Sequence, residues 1–115
     1  KIIKEAYIAA EALEKEGISI EIIDLRTVRP MDHNTIIESV KKTNRLVILE
    51  EAWPFGSVSS EITFRIQDEA FDHLDAPIKR ITTADTPAPY SPVLLEVWLP
   101  NSKDVEKAVK EVLYR

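Results

Sequence analysis

Hydrophobic positions along this chain change their period several times, and each change predicts a different element. In residues 2–16 they fall at Ile3, Ala6, Tyr7, Ala10 and Leu13, the spacing of one helical face. Glu11, Glu14, Lys15 and Glu16 suit the wet side, and Gly17 is placed to end the helix. From Ile18 to Leu25 the pattern alternates and then runs apolar, which predicts a strand with at least one buried face. Pro30 forbids its simple continuation through Arg26–Met31. Asp32 can cap a short helix that buries Ile36, Ile37 and Val40 and frays near Asn44. Leu46-Val-Ile-Leu49 is short and continuously apolar, as a central parallel strand covered on both faces would be. After a loop over Glu50–Gly56, a longer helix from about Val58 is expected to bury Val58, Ile62, Ile66 and Ala70 and to end before Pro77. Ile78–Ile81 reads as a third strand. Residues 85–100 hold Pro87, Pro89, Pro92 and Pro100, a density that argues for an extended surface segment rather than a helix. A last amphipathic helix, from Asn101 or Ser102 to Tyr114, carries Val105, Ala108, Val109, Val112 and Leu113 on one face.

Strands alternating with helices predict an α/β domain with a mainly parallel sheet, helices on both faces and right-handed crossovers. Three strands make a thin sheet, so at least one more is expected before residue 1. The start at Lys1 rather than Met, with no capping residue ahead of the first helix, leads to the same expectation of a piece of a longer chain. There is no internal repeat or low-complexity tract.

Composition narrows the function classes. A chain of 115 residues is one domain or most of one, large enough to bury a core without disulfide or metal. It has no cysteine, which removes a disulfide scaffold, a thiolate nucleophile and a cysteine-ligated zinc site, and which fits a cytoplasmic protein. A net charge of −5 argues against a nucleic-acid-binding surface and could steer a basic partner instead. No apolar run approaches the ~20 residues of a membrane span.

Candidate chemistry concentrates where an α/β sheet usually binds ligands, at the C-terminal ends of its strands. Ser57, Ser59 and Ser60 stand before a helix, where they could cap it or offer hydroxyls to an anion. The anion reading is the weaker, because Gly56 is the loop's one glycine and no nucleotide-loop spacing is present. Glu50 and Glu51 are adjacent carboxylates, but Asp24 stands alone at the end of the first strand. Pairing of the glutamates with Arg26, Arg29 or Arg45, or plain hydration, is favoured over acid–base work. His33 follows a cap residue and is expected to be wet. His73 could share a helical face with Glu69, and a surface pair is favoured over a metal site. Trp53, Pro54, Phe55 and Trp98 put aromatics outside the predicted core. They either fold back over the sheet edge or anchor a subunit contact.

Four motifs in register carry a resemblance: Arg26-Thr-Val-Arg-Pro-Met-Asp32, Glu50-Glu-Ala-Trp-Pro-Phe-Gly56 with Ser60-Glu-Ile62, Leu74-Asp-Ala-Pro77, and Ala84-Asp-Thr-Pro-Ala-Pro-Tyr90. Over essentially the whole of 1–115 the chain resembles the transketolase C-terminal domain of pyruvate dehydrogenase beta subunits. The resemblance implies a three-layer α/β/α domain with a mainly parallel, five-stranded sheet, here without its first strand and without the N-terminal pyrimidine-binding domain. It implies membership of an oxidoreductase that decarboxylates pyruvate and acetylates the lipoyl group of dihydrolipoyl acetyltransferase. Branched-chain 2-oxo acid and acetoin dehydrogenases remain alternatives, and a free-standing flavodoxin-like binding or signalling domain is the rival of another class.

Thiamine diphosphate and magnesium belong, by the same resemblance, to the whole enzyme. The family places no catalytic, cofactor or metal ligand in these residues. The implied share is assembly: contacts with an alpha subunit and a second beta subunit in a heterotetramer, and with the basic subunit-binding domain of the acetyltransferase. Trp53, Pro54, Phe55, Pro87, Pro89, Tyr90 and Trp98 are the expected interface residues. The implied location is the cytoplasm of a bacterium or the mitochondrial matrix. Relatives often have glycines around the Trp-Pro loop where Ala52, Ser57 and Ser59 stand here, so the local course of that loop could differ.

Overall fold

The computed structural model describes residues 1–115. In chain order the elements are α1 (Ile3–Glu14), α2 (His33–Thr43), β1 (Val47–Leu49), α3 (Val58–Ala70) followed by a 3₁₀ turn at Phe71–His73, β2 (Lys79–Ile81), α4 (Pro92–Trp98) and α5 (Ser102–Val112). β1 and β2 pair in parallel, Val47 beside Lys79 and Leu49 beside Ile81. The ladder runs on past their ends, with Lys79 N–H donating to Leu46 O at 3.2 Å and Thr83 N–H to Ala52 O at 3.1 Å.

Two apolar clusters lie on opposite sides of this sheet. One joins Ala9 and Leu13 of α1 to Val105, Ala108 and Val109 of α5, with Ile18 and Ile81, and Val47 and Leu49 pack against it. The other joins Ile36 and Val40 of α2 to Ile62, Ile66 and Ala70 of α3, with Ile48 between. Successive β1 side chains thus point to opposite layers, as the two-residue period of a strand requires. The result is the expected three-layer α/β/α arrangement, with α1 and α5 on one face and α2 and α3 on the other.

The helix ends follow local chemistry. Asp32 caps α2, accepting from Thr35 N–H at 3.2 Å and Thr35 Oγ1 at 2.6 Å. Asn44 ends the helix with φ of 65°, a left-handed conformation that asparagine tolerates. Gly17 takes φ of 80° just beyond α1. Asn101 and Asp104 form a reciprocal capping box on α5.

Three expectations change. The buried stripe of α1 is Ala9 and Leu13, while Tyr7 is more than half exposed, so the helix is rotated to meet α5. Residues 18–25 form no ladder: none of the backbone groups of Ser19–Leu25 bonds to another backbone group. The segment nevertheless keeps strand-like alternation, with Ile18 and Ile20 on the α1–α5 cluster and Ile23 and Leu25 on the α2–α3 cluster. The sequence from Pro92 to Trp98 is a helix, not extended chain. Proline at the first helical position forfeits no hydrogen bond and presets φ, so Pro92 starts α4 instead of forbidding it. Val58 is another small departure, being over a third exposed at the start of α3.

Candidate functional site

Loops leaving the C-terminal ends of β1 and β2 meet in two distinct constellations. The first is polar. Glu50, the residue after β1, accepts from Ser59 N–H at 3.2 Å and from Ser59 Oγ at 2.5 Å. Arg80 of β2 donates through Nη1 to Pro54 O at 2.8 Å, Ser60 Oγ at 2.8 Å and Ser59 Oγ at 3.2 Å. Ser57 Oγ lies 2.8 Å from Ser59 Oγ. A carboxylate at the positive end of α3 satisfies an amide the helix itself cannot, and favours the helix dipole.

This arrangement revises two readings. Ser57 occupies the capping position, but its side chain makes no capping bond; Glu50 supplies the cap from across the loop. One amide that an anion would use, that of Ser59, is therefore already taken by the protein's own negative charge. Glu50 pairs with none of Arg26, Arg29 or Arg45. Arg26 pairs with Asp24 at 3.0 Å, and Arg45 approaches Asp75 at 3.9 Å while donating to Val112 O at 2.9 Å. Glu51 is exposed.

The second constellation is aromatic. Trp53 Nε1 and Trp98 Nε1 donate to one acceptor, the Thr86 carbonyl, at 2.8 and 3.0 Å. Ala84 N–H donates to Trp98 O at 3.4 Å. Two indoles on one oxygen, which has two lone pairs, tie the Trp-Pro loop, the proline-rich segment and the end of α4 into a single unit. The tryptophans fold back over the sheet edge through their nitrogens, and Trp53 remains half exposed. Around them Phe55 and Tyr90 project almost fully into solvent, and Pro87 is exposed while Pro54 and Pro89 are half-buried. Sequence reasoning passed over Arg80, the Thr86 carbonyl and α4. For α4 the Ser91-Pro92 pair ahead of Val93-Leu-Leu-Glu-Val97 was a usable signal.

The histidines contribute little. His33 opens α2 and is half-buried, not wet. His73 falls in the 3₁₀ turn, where its carbonyl accepts from Asn44 Nδ2 at 2.8 Å. Nowhere do three His, Asp or Glu side chains converge as metal ligands, and no helix is long and apolar enough to cross a membrane. For a thiamine diphosphate–magnesium site the residues present offer no cluster of metal ligands, and Glu50 already holds the Ser59 amide at the start of α3.

A cleft of about 720 Å³ lies between residues 17–25 and the free edge of β1. Ile2, Ile3 and Ala6 line it at the start of α1, with Ile20, Ile22, Val47 and Leu49 along its length. It is mostly hydrophobic, and the unpaired backbone of Ser19–Leu25 borders it.

The fold is thus an α/β/α domain whose strand ends carry a self-capped loop and an exposed aromatic unit. The chain belongs to the transketolase C-terminal domain family, whose model matches residues 1–105. It is 55% identical over 107 residues to the pyruvate dehydrogenase E1 component subunit beta of Rhizobium meliloti (strain 1021), covering 93% of this chain and 23% of that protein. It is 47% identical over 115 residues to the mitochondrial pyruvate dehydrogenase E1 component subunit beta-1 of Oryza sativa subsp. japonica, covering 100% of this chain and 31% of that one. The chain thus spans about a quarter to a third of the length of the curated relatives it matches. A solved split-gene transketolase, an inactive beta4 tetramer, superposes with a TM-score of 0.84 at 28% identity, over 96% of this chain and 36% of that one.

Proposed function

We propose that the chain is the C-terminal domain of the beta subunit of a thiamine-diphosphate-dependent pyruvate dehydrogenase E1 component, and that its share of the work is assembly. The whole enzyme would decarboxylate pyruvate and acetylate the lipoyl group of dihydrolipoyl acetyltransferase. In that division the cofactor carries the carbanion chemistry and other parts of the protein position it. Relatives named for bacterial and for mitochondrial enzymes support placement in a bacterial cytoplasm or a mitochondrial matrix.

The observation that carries this reading is the aromatic unit at the strand ends. Trp53 and Trp98 hold it rigid through Thr86, and Phe55 and Tyr90 stand out from it uncovered. Rigid, exposed aromatics are the usual anchors of a subunit contact, because they bury a large area for little loss of side-chain freedom. Trp53, Pro54, Phe55, Pro87, Pro89, Tyr90 and Trp98 are accordingly the proposed interface residues, facing an alpha chain or a second beta chain. Docking of the acetyltransferase's basic subunit-binding domain falls to the acidic remainder of the surface. The cleft beside β1 fits the same picture as the seat of one more strand from the rest of the subunit. Such a strand would satisfy the backbone of Ser19–Leu25 on one side and the open edge of β1 on the other.

Sedimentation of the full-length subunit with its alpha partner tests the reading. Trp53→Ala with Trp98→Ala is expected to weaken the tetramer at least tenfold while the domain stays folded. An unchanged tetramer would remove these residues from the interface.

A further inference from the structure

The loop that carries Phe55 has little hold of its own. No backbone group from Trp53 to Gly56 bonds to another backbone group. Gly56 takes φ of 62°, in the region that glycine enters most freely. Two strong side-chain bonds fix the segment instead. One runs from Trp53 Nε1 to Thr86 O and ties down the indole. The other runs from Arg80 Nη1 to Pro54 O at 2.8 Å, a short bond with a charged donor. Ser57 Oγ and Ser60 Oγ also approach that carbonyl, but at 3.5 and 3.4 Å, beyond the usual range.

Helix stability does not account for Arg80 at this place. It stands on β2 beside Ile48 of β1, and its guanidinium meets Ser59 and Ser60 in the first turn of α3. A cation favours the other end of a helix, where the dipole is negative. Arg80 forms no ion pair, and Glu50 is linked to it only through the shared Ser59 hydroxyl. What its nitrogen does fix is a direction. The proline ring presets φ, so the freedom left at Pro54 is the rotation that aims its carbonyl. That oxygen lies in the planar peptide unit leading to Phe55. Pinning it sets the course on which the chain reaches Phe55, whose ring is 91% exposed.

We propose that Arg80 is a positioning residue for the aromatic contact: from β2 it pins the Pro54 carbonyl and so sets the direction in which Phe55 meets the partner subunit. The inference rests on the assembly reading and adds to it a residue that acts through the loop. An anchor held ready spares the complex the cost of ordering that loop on binding.

The test is a double-mutant cycle on the full-length subunit with its alpha partner, read as the dissociation constant of the tetramer. Arg80→Met is expected to weaken assembly about tenfold, and Phe55→Ala at least as much. In the Phe55→Ala background Arg80→Met should then cost less than about twofold, because no anchor is left to aim. A purely structural role would leave the two effects additive. Arg80→Lys is expected to stay within about threefold of wild type, since all three Arg80 bonds leave one nitrogen and an ammonium carries three donors on one. Should Arg80→Met fail to fold, Arg80→Gln takes its place in the cycle, a polar side chain too short to reach Pro54. Additive effects, or full assembly by the Arg80 variant, would overturn the proposal and leave the interface standing. Assembly unchanged by Phe55→Ala would overturn both.

Discussion

The polar and aromatic constellations sit on neighbouring loops, yet they spend their side chains in opposite ways. Around Glu50 the polar groups bond to one another: Ser59 is fully buried and bonds Glu50 and Arg80 at once. Around Trp53 the indole nitrogens turn inward, while Phe55, Tyr90 and the Val93, Leu94 and Val97 side chains of α4 face outward. Unsatisfied buried polar atoms are costly and have nowhere else to go, so the first region must be completed within the chain. Exposed apolar area costs less while it waits, and that cost is recovered when a partner covers it. The first region therefore reports on folding and the second, under the proposed function, on assembly.

Substitutions can break this contrast at its widest point. Ile66 is almost wholly buried between α2 and α3, and Ile66→Ala is expected to destabilise the domain by about 3 kcal/mol through lost contacts and a residual cavity. Phe55→Ser, removing a larger side chain that is 91% exposed, is expected to stay within about 0.5 kcal/mol. Urea midpoints for the two variants measure the difference; comparable losses would mean that Phe55 is part of the core after all.

A smaller effect sharpens the polar side. Glu50→Ala removes the cap of α3 and leaves the buried Ser59 short of a partner, with an expected cost of about 1–2 kcal/mol. Amide exchange should show the loss first at Ser59 and its neighbours in the opening turn of α3. Equal protection in the variant would show that Arg80 alone holds the loop.

The smallest effect is a pH dependence at α2. The Thr35 hydroxyl, and then its amide, hold the Asp32 carboxyl below the ordinary aspartate range. A depressed folded value means stabilisation that is fully present above the unfolded value of ~3.9 and lost as pH falls through the lower, folded one. The advantage of wild type over Asp32→Asn in urea unfolding is thus expected to be constant from about pH 5 to 8 and to shrink below about pH 4. A difference that grows on acidification would contradict the cap.

How much of this was legible in the chain depends on the range of the interaction. Asp32, Gly17 and the start of α5 announce themselves because a cap is settled within three or four residues. The buried positions of α2 and most of those of α3 follow from period alone. The Ile18–Leu25 alternation correctly separates two faces, but a strand also needs a neighbour within hydrogen-bonding reach, and its side chains cannot report whether one is there. Glu50 offered no local sign of its role, since Ser59 reaches it only after β1 and α3 have packed.

Sequence by itself determined the alternation of strand-like and helical segments, the two-sided core and, through four motifs in register, the family. Tertiary structure alone decided that Glu50 rather than a serine caps α3, that Trp53 and Trp98 converge on Thr86, and that α4 shows a bare apolar face. Propensity and period act between residues a few positions apart, whereas these contacts join groups separated by nine, twelve and thirty-three residues, and only the closed fold brings them within bonding distance.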